Sequence, residues 1–211
     1  MTLLDRMASL LNTIRIDALR RGKTMSCASA VALSLALSGC GSGVPPHGFP
    51  VSLNKESVFL GDSITYLWQL PIHNAGIPGQ HASEIAARFA TDVVPQRPAM
   101  VIILAGTNDI RATATDDVGV VASLESMVKM GQAAGITVVL SELPPTACCD
   151  DQVQSLNAAI ARLAEEDHLT LVDYHTPMAG HPEYFRDALH PNTPGYQVME
   201  GALTAALAGR Q

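Results

Sequence analysis

The stretch Met100-Val101-Ile102-Ile103-Leu104-Ala105-Gly106-Thr107-Asn108-Asp109 decides how the rest of the chain is read. Its apolar run has no polar position to turn toward water. That is the pattern of a parallel strand covered on both faces rather than a half-wet antiparallel one. It stops abruptly in Gly106 and three polar residues, which places a polar loop at the carboxyl end of the strand.

Similar runs lie on either side. Ser57–Leu60, Ile136–Leu140 and Leu169–Val172 are short apolar strands, and Ile72–Ala75 is a weaker one. Amphipathic segments separate them. Ile85, Phe89 and Val93 share one face of a helix that Ser83 can cap, and Val121, Leu124 and Val128 line another that starts at Asp116 and ends near Gly135. A third begins at Asp150 or Asp151 and carries Val153, Leu156, Ile160 and Leu163. The last is announced by Thr193 as N-cap and Pro194 at N1. Strand and helix alternate, so the fold class is α/β, a three-layer α/β/α with a five-stranded parallel sheet. The expected strand order is the flavodoxin-like 2-1-3-4-5. Ligands of such sheets bind beyond the carboxyl ends of the strands, where the order reverses. Gly61-Asp62-Ser63, Asn74-Ala75-Gly76-Ile77-Pro78-Gly79 and Gly106-Thr107-Asn108-Asp109 all fall there.

The chain has 211 residues and a net charge of −7, and residues 41–211 hold 8 basic against 18 acidic groups, a net of −10. So acidic a body repels phosphate backbones, which excludes nucleic acid as a partner. Residues 1–40 read as a targeting segment. Arg20, Arg21 and Lys23 precede the apolar run Cys27–Leu37, which is too short to span a bilayer and ends in small residues. Leu37-Ser38-Gly39-Cys40 resembles the bacterial lipobox, which implies lipidation of Cys40 and attachment to a membrane of the cell envelope, facing periplasm or exterior. A start at Met7 would shorten the long n-region. Residues 41–54, rich in Gly, Ser and Pro, then form a tether, and 55–209 the folded domain. Cys148 and Cys149 are adjacent, closer than the usual disulfide range. Two thiols are therefore expected, although an oxidising compartment permits a vicinal bridge.

Ser63 follows a buried strand on a turn opened by Gly61. A serine hydroxyl needs a neighbouring base to become a nucleophile. His190 in Asp187-Ala188-Leu189-His190-Pro191 is the best candidate, with Asp187 three residues away to orient it. The Asn108 side chain and the Gly79 backbone N–H can stabilise a developing oxyanion. Asp62 and Asp109 shape turns. Tyr66 and Trp68 either line a pocket or join the core. His175 and His181 match no metal-ligand spacing and are loop residues. There is no Gly-x-Ser-x-Gly elbow, which argues against the α/β-hydrolase fold. No Gly-rich phosphate loop is present to support a nucleotide- or flavin-binding domain.

Gly61-Asp62-Ser63-Ile64, Gly79, Gly106-Thr107-Asn108-Asp109 and Asp187-Ala188-Leu189-His190 resemble the four sequence blocks of the SGNH hydrolases, the GDSL-type esterases and lipases. They run in the family's order from residue 58 to 208. The resemblance implies a serine esterase with Ser63, Asp187 and His190 catalytic. The Ser63 and Gly79 N–H groups and Asn108 would form the oxyanion hole, without metal or cofactor. Small esters, lysophospholipids and acetylated sugars are all open as substrates. The competing expectation is a lipid-anchored binding protein that keeps the fold without the chemistry.

Overall fold

A computed structural model describes residues 56–69, 73–112 and 117–209. The targeting segment, Cys40 and the tether lie outside the described residues, as do Ile72 and Asp116. The sheet consists of β1 (Ser57–Gly61), β2 (His73–Gly76), β3 (Met100–Leu104), β4 (Thr137–Ser141) and β5 (Thr170–Val172). Its order is β2-β1-β3-β4-β5 and every pairing is parallel, as expected. The register sets Gly61 beside both Gly76 and Leu104. The loops that leave β1, β2 and β3 therefore start side by side.

The helices are α1 (Ser63–Leu67), α2 (Ala82–Ala87), α3 (Phe89–Asp92), α4 (Thr107–Ala112), α5 (Asp117–Ala133), α6 (Asp150–Glu166) and α7 (Thr193–Ala208). On one face of the sheet α2 packs on α5 and α5 on α6, while α7 packs against β5 on the other. Ile85, Phe89 and Val93 are completely buried, as their shared face requires. Burying each such side chain contributes about 2 kcal/mol. A Cβ at Gly131 in α5 would press on Val138 of β4 and on Phe89, so glycine lets that helix come close to the sheet. Beneath α7, Trp68 packs edge-on against Phe59 and Tyr174 and tilts over Tyr196. Its ring N–H donates to Glu200, which makes Trp68 a core residue. Tyr66 is different: it is 57% exposed.

Boundaries shift where helix ends borrow residues from strands. The Ile136 N–H donates to the Gly131 carbonyl, with Gly135 at φ +72°, and so closes α5 before β4 begins. Leu169 does the same for α6 by donating to Ala164, with His168 in the left-handed position. Two expected caps are displaced. His81, not Ser83, precedes α2, and the free N–H groups there are taken by Glu84 (2.8 Å from His81 N) and Asp109 (3.0 Å from Ala82 N). Asn192, not Thr193, caps α7 by accepting from Gly195 N at 3.0 Å, which moves Thr193 and Pro194 inside the helix. The helix expected over Ser83–Val93 is interrupted at Arg88. The short helices α1 and α4 follow β1 and β3 where only turns were expected. Cys148 and Cys149 are joined as a vicinal disulfide just before α6, correcting the expectation of two thiols.

Candidate active site

Ser63 opens α1 directly after β1. Its predecessor Asp62 is the N-cap, its Oδ1 accepting from Ile64 N at 2.9 Å. A Cβ at Gly61 would collide with the Thr65 hydroxyl and the Leu104 carbonyl, so the turn closes tightly only around glycine. Two side chains from other elements hold α1 in place. The Tyr196 hydroxyl of α7 donates to the Ile64 carbonyl at 2.8 Å, and the Asn74 amide of β2 donates to Thr65 O at 2.7 Å and Trp68 O at 3.0 Å. The sequence carried no local signal for these bonds, since both side chains come from other elements.

Ser63 and His190 meet across 127 residues, with Ser63 Oγ 3.0 Å from His190 Nε2. His190 Nδ1 lies 2.9 Å from Asp187 Oδ2. The Asp187–His190 loop is an Asx turn rather than a helical turn. Asp187 Oδ1 accepts from Leu189 N at 2.9 Å and His190 N at 2.8 Å. The turn is closed by Arg186 N donating to His190 O at 3.0 Å and anchored from outside by Ala147 N donating to Ala188 O at 3.0 Å. Slight burial pulls the Asp187 carboxyl upward. The His190 backbone N–H, the His190 ring and the Leu189 N–H together outweigh it and bring the carboxyl down to about 2. Asp187 is thus ionised at neutral pH and can only accept, so the imidazole proton sits on Nδ1. Nε2 is left with its lone pair facing the Ser63 hydroxyl.

The other two site residues are also brought together. Gly79 sits in the exposed loop after β2 at φ +81°, a left-handed conformation that suits glycine. Asn108, in the first turn of α4, donates its amide to the carbonyl of the next residue, Gln80, at 2.9 Å. Gly106, at φ +123°, makes the turn that feeds α4 into the site. His175 pairs with Asp150 at 3.1 Å, and His181 pairs with Glu183 and stacks on Tyr184. A cavity of about 290 Å³ is lined by Thr146, Asp150, His181, Phe185, Asp187 and Ala188 among others. Asp187 lies in its wall, and neither Ser63 nor His190 does.

Asp62 is completely buried, and one carboxylate oxygen lacks a hydrogen-bond partner. Burial pushes its pKa up to about 6, against smaller lowering effects from Ile64 N–H, Thr107 and His190. The folded pKa lies above the unfolded one. The folded state therefore binds the extra proton, and stability falls as pH rises from about 4 to 6 and stays reduced above that. The cost at neutral pH is about 3 kcal/mol. Asp62→Asn keeps the cap and removes the charge. It should raise the melting temperature more at pH 8 than at pH 4, relative to the parent protein at each pH. Equal shifts at both would contradict a charged, buried Asp62.

A parallel five-stranded sheet in this order, with Ser63, His190 and Asp187 in one hydrogen-bonded chain past its carboxyl ends, defines an SGNH-type α/β/α ester hydrolase. Residues 59–198 match the GDSL-like lipase/acylhydrolase family, and the chain belongs to that family. A solved structure of a GDSL-like lipase from Bacteroides thetaiotaomicron is 30% identical, with a TM-score of 0.69 over 78% of this chain and 93% of that one. Two more distant structures share the fold. They are a carbohydrate esterase of family 3 from Talaromyces cellulolyticus (22% identity, TM-score 0.63, 72% of this chain and 96% of that one) and the acetylxylan esterase Axe2 from Geobacillus stearothermophilus (18%, 0.65, 74% and 96%). A search of curated proteins finds no match. The protein is a carboxylic ester hydrolase, which sets aside the non-catalytic alternative.

Proposed function

We propose that the protein hydrolyses short-chain acyl esters carried on sugars, through an acyl-enzyme on Ser63. The observation that carries the chemistry is the unbroken chain from Ser63 Oγ through His190 to Asp187, with contacts of 3.0 and 2.9 Å. His190 Nε2 takes the hydroxyl proton as Oγ attacks the ester carbonyl. The N–H groups of Ser63 and Gly79 and the Asn108 amide receive the oxyanion, each worth a few kcal/mol (roughly 3) in the transition state. The imidazolium returns its proton to the leaving alcohol. Water, deprotonated by His190, then releases the acid and regenerates Ser63.

The sugar part of the proposal draws on the surroundings of Ser63. Tyr66, one helical turn beyond it, is 57% exposed, and Ile77, two residues before Gly79, is 41% exposed. An exposed aromatic ring three residues along the chain from Ser63 offers a face of the kind on which sugars stack. Two structures with the same fold are named as acetylxylan and carbohydrate esterases. A rate series on aryl esters from two-carbon to eight-carbon acyl groups, run with acetylated xylo-oligosaccharides, tests the assignment. The acetyl compounds should be fastest, with kcat/KM falling by about tenfold or more toward eight carbons. Rates that rise with chain length would contradict it and favour lipid esters.

The same proposal places the domain at the cell envelope, carried on the 41–54 tether by a lipidated Cys40. Cys40→Ser should move the protein from the membrane to the soluble fraction, and unchanged fractionation would refute the anchor.

A further inference from the structure

The loop that carries Gly79 has little packing to hold it. Gly79 is exposed, and no atom beyond its own chain neighbours lies within 4 Å of where a Cβ would stand. An oxyanion donor must nevertheless be placed to within a fraction of an ångström. Polar contacts do the holding, and one of them comes from Arg88, whose side chain also grips the ends of β1 and β2.

Arg88 follows α2 and is only 12% exposed in its side chain. Its Nη2 donates to the carbonyl of Ala75 in β2 at 2.7 Å and to that of Gly61, two residues before Ser63, at 3.1 Å. Its Nε donates to Gln80 Oε1 at 2.7 Å. Its Nη1 pairs with Asp92 at 3.1 Å, which balances the charge. Gln80 is thus gripped twice, by Arg88 through its side chain and by Asn108 through its backbone carbonyl. The loop's two ends are pinned as well, Ile77 N to Gly61 O at 3.0 Å and Ala82 N to Asp109 at 3.0 Å.

We propose that Arg88 is a positioning residue for the oxyanion hole, locking the Gly79–Gln80 loop to the strand end that bears Ser63 and thereby aiming the Gly79 N–H and the Asn108 amide. This rests on the assignment of Ser63, Gly79 and Asn108 made above. Lysine cannot substitute, because one ammonium cannot span three acceptors that a planar guanidinium fork reaches together.

The test compares Arg88→Lys, Gln80→Ala and the double variant with the parent enzyme on p-nitrophenyl acetate, with phenylboronic acid as a probe of the tetrahedral adduct. Arg88→Lys should lower kcat by about 10- to 100-fold, with KM within about twofold, and weaken the boronate by a similar factor. Gln80→Ala removes one arm of the clamp and should act in the same direction by about five- to tenfold. The double variant should be no worse than Arg88→Lys, because both changes break the same clamp. An Arg88 that merely glues β2 to the sheet would lower the melting temperature while leaving kcat per folded molecule and boronate affinity intact, and that result overturns the proposal. If Arg88→Lys does not fold, Gln80→Ala decides: unchanged kcat and boronate affinity there overturn it equally. Ser63→Ala, run alongside, separates the two levels. Activity in Ser63→Ala sinks the underlying assignment, whereas an inactive Ser63→Ala with fully active clamp variants sinks only the role of Arg88.

Discussion

Ser63→Ala should lower kcat by about a millionfold while leaving the melting temperature within a few degrees of the parent, because in the proposed mechanism the hydroxyl oxygen forms the acyl-enzyme. The fold gives little reason for a structural penalty. Ser63 is half-buried, its hydroxyl meets His190, and the bonds that hold α1 are made by Asp62, Tyr196 and Asn74. Losing one side-chain hydrogen bond contributes only about 1 kcal/mol to stability. Steady-state kinetics and a thermal melt on the same preparation check both halves. A variant that keeps a tenth of the activity would remove Ser63 from the chemistry.

Asp187→Asn should cost about 10⁴-fold in kcat, and the loop geometry says why. Oδ1 accepts two backbone N–H groups, at 2.9 and 2.8 Å, so the asparagine oxygen must take that position. Its NH₂ group is then forced into the place of Oδ2, facing His190 Nδ1. A donor there demands an unprotonated Nδ1, which moves the imidazole proton to Nε2. The base then points a proton at the serine hydroxyl instead of a lone pair. The loop itself is preserved, so KM and stability should change little. A loss of less than about tenfold in kcat would mean that Asp187 only shapes the turn.

Much of this was legible from the residue pattern. Met100–Leu104 could only be a strand covered on both faces, and the strand order followed from alternation and the usual topology. Ser63, Asp187 and His190 could be proposed as nucleophile, orienter and base because Ser63 follows β1 and the other two stand three residues apart just before α7. What escaped was held by distant partners. Asp109 supplies an acceptor to α2 from 27 residues away, which is why Ser83 looked like the cap. The cap of α7 is a local exception: Thr193 was the expected N-cap, and the neighbouring Asn192 accepts from Gly195 N instead. The Arg88 clamp joins residues 61, 75 and 80 through tertiary contact, and no spacing in the chain announces it. The closure of α5 and α6 by Ile136 and Leu169 moved two strand starts by one residue, since an apolar residue can end a helix as readily as begin a strand.

The assignment of Ser63 is tested most directly by treating the folded protein with a fluorophosphonate and locating the adduct by peptide mass spectrometry. A single adduct on Ser63, formed in the parent and absent from Ser63→Ala, is the predicted result. An unmodified Ser63 in active enzyme, or an adduct on another residue that accounts for the inactivation, would contradict it.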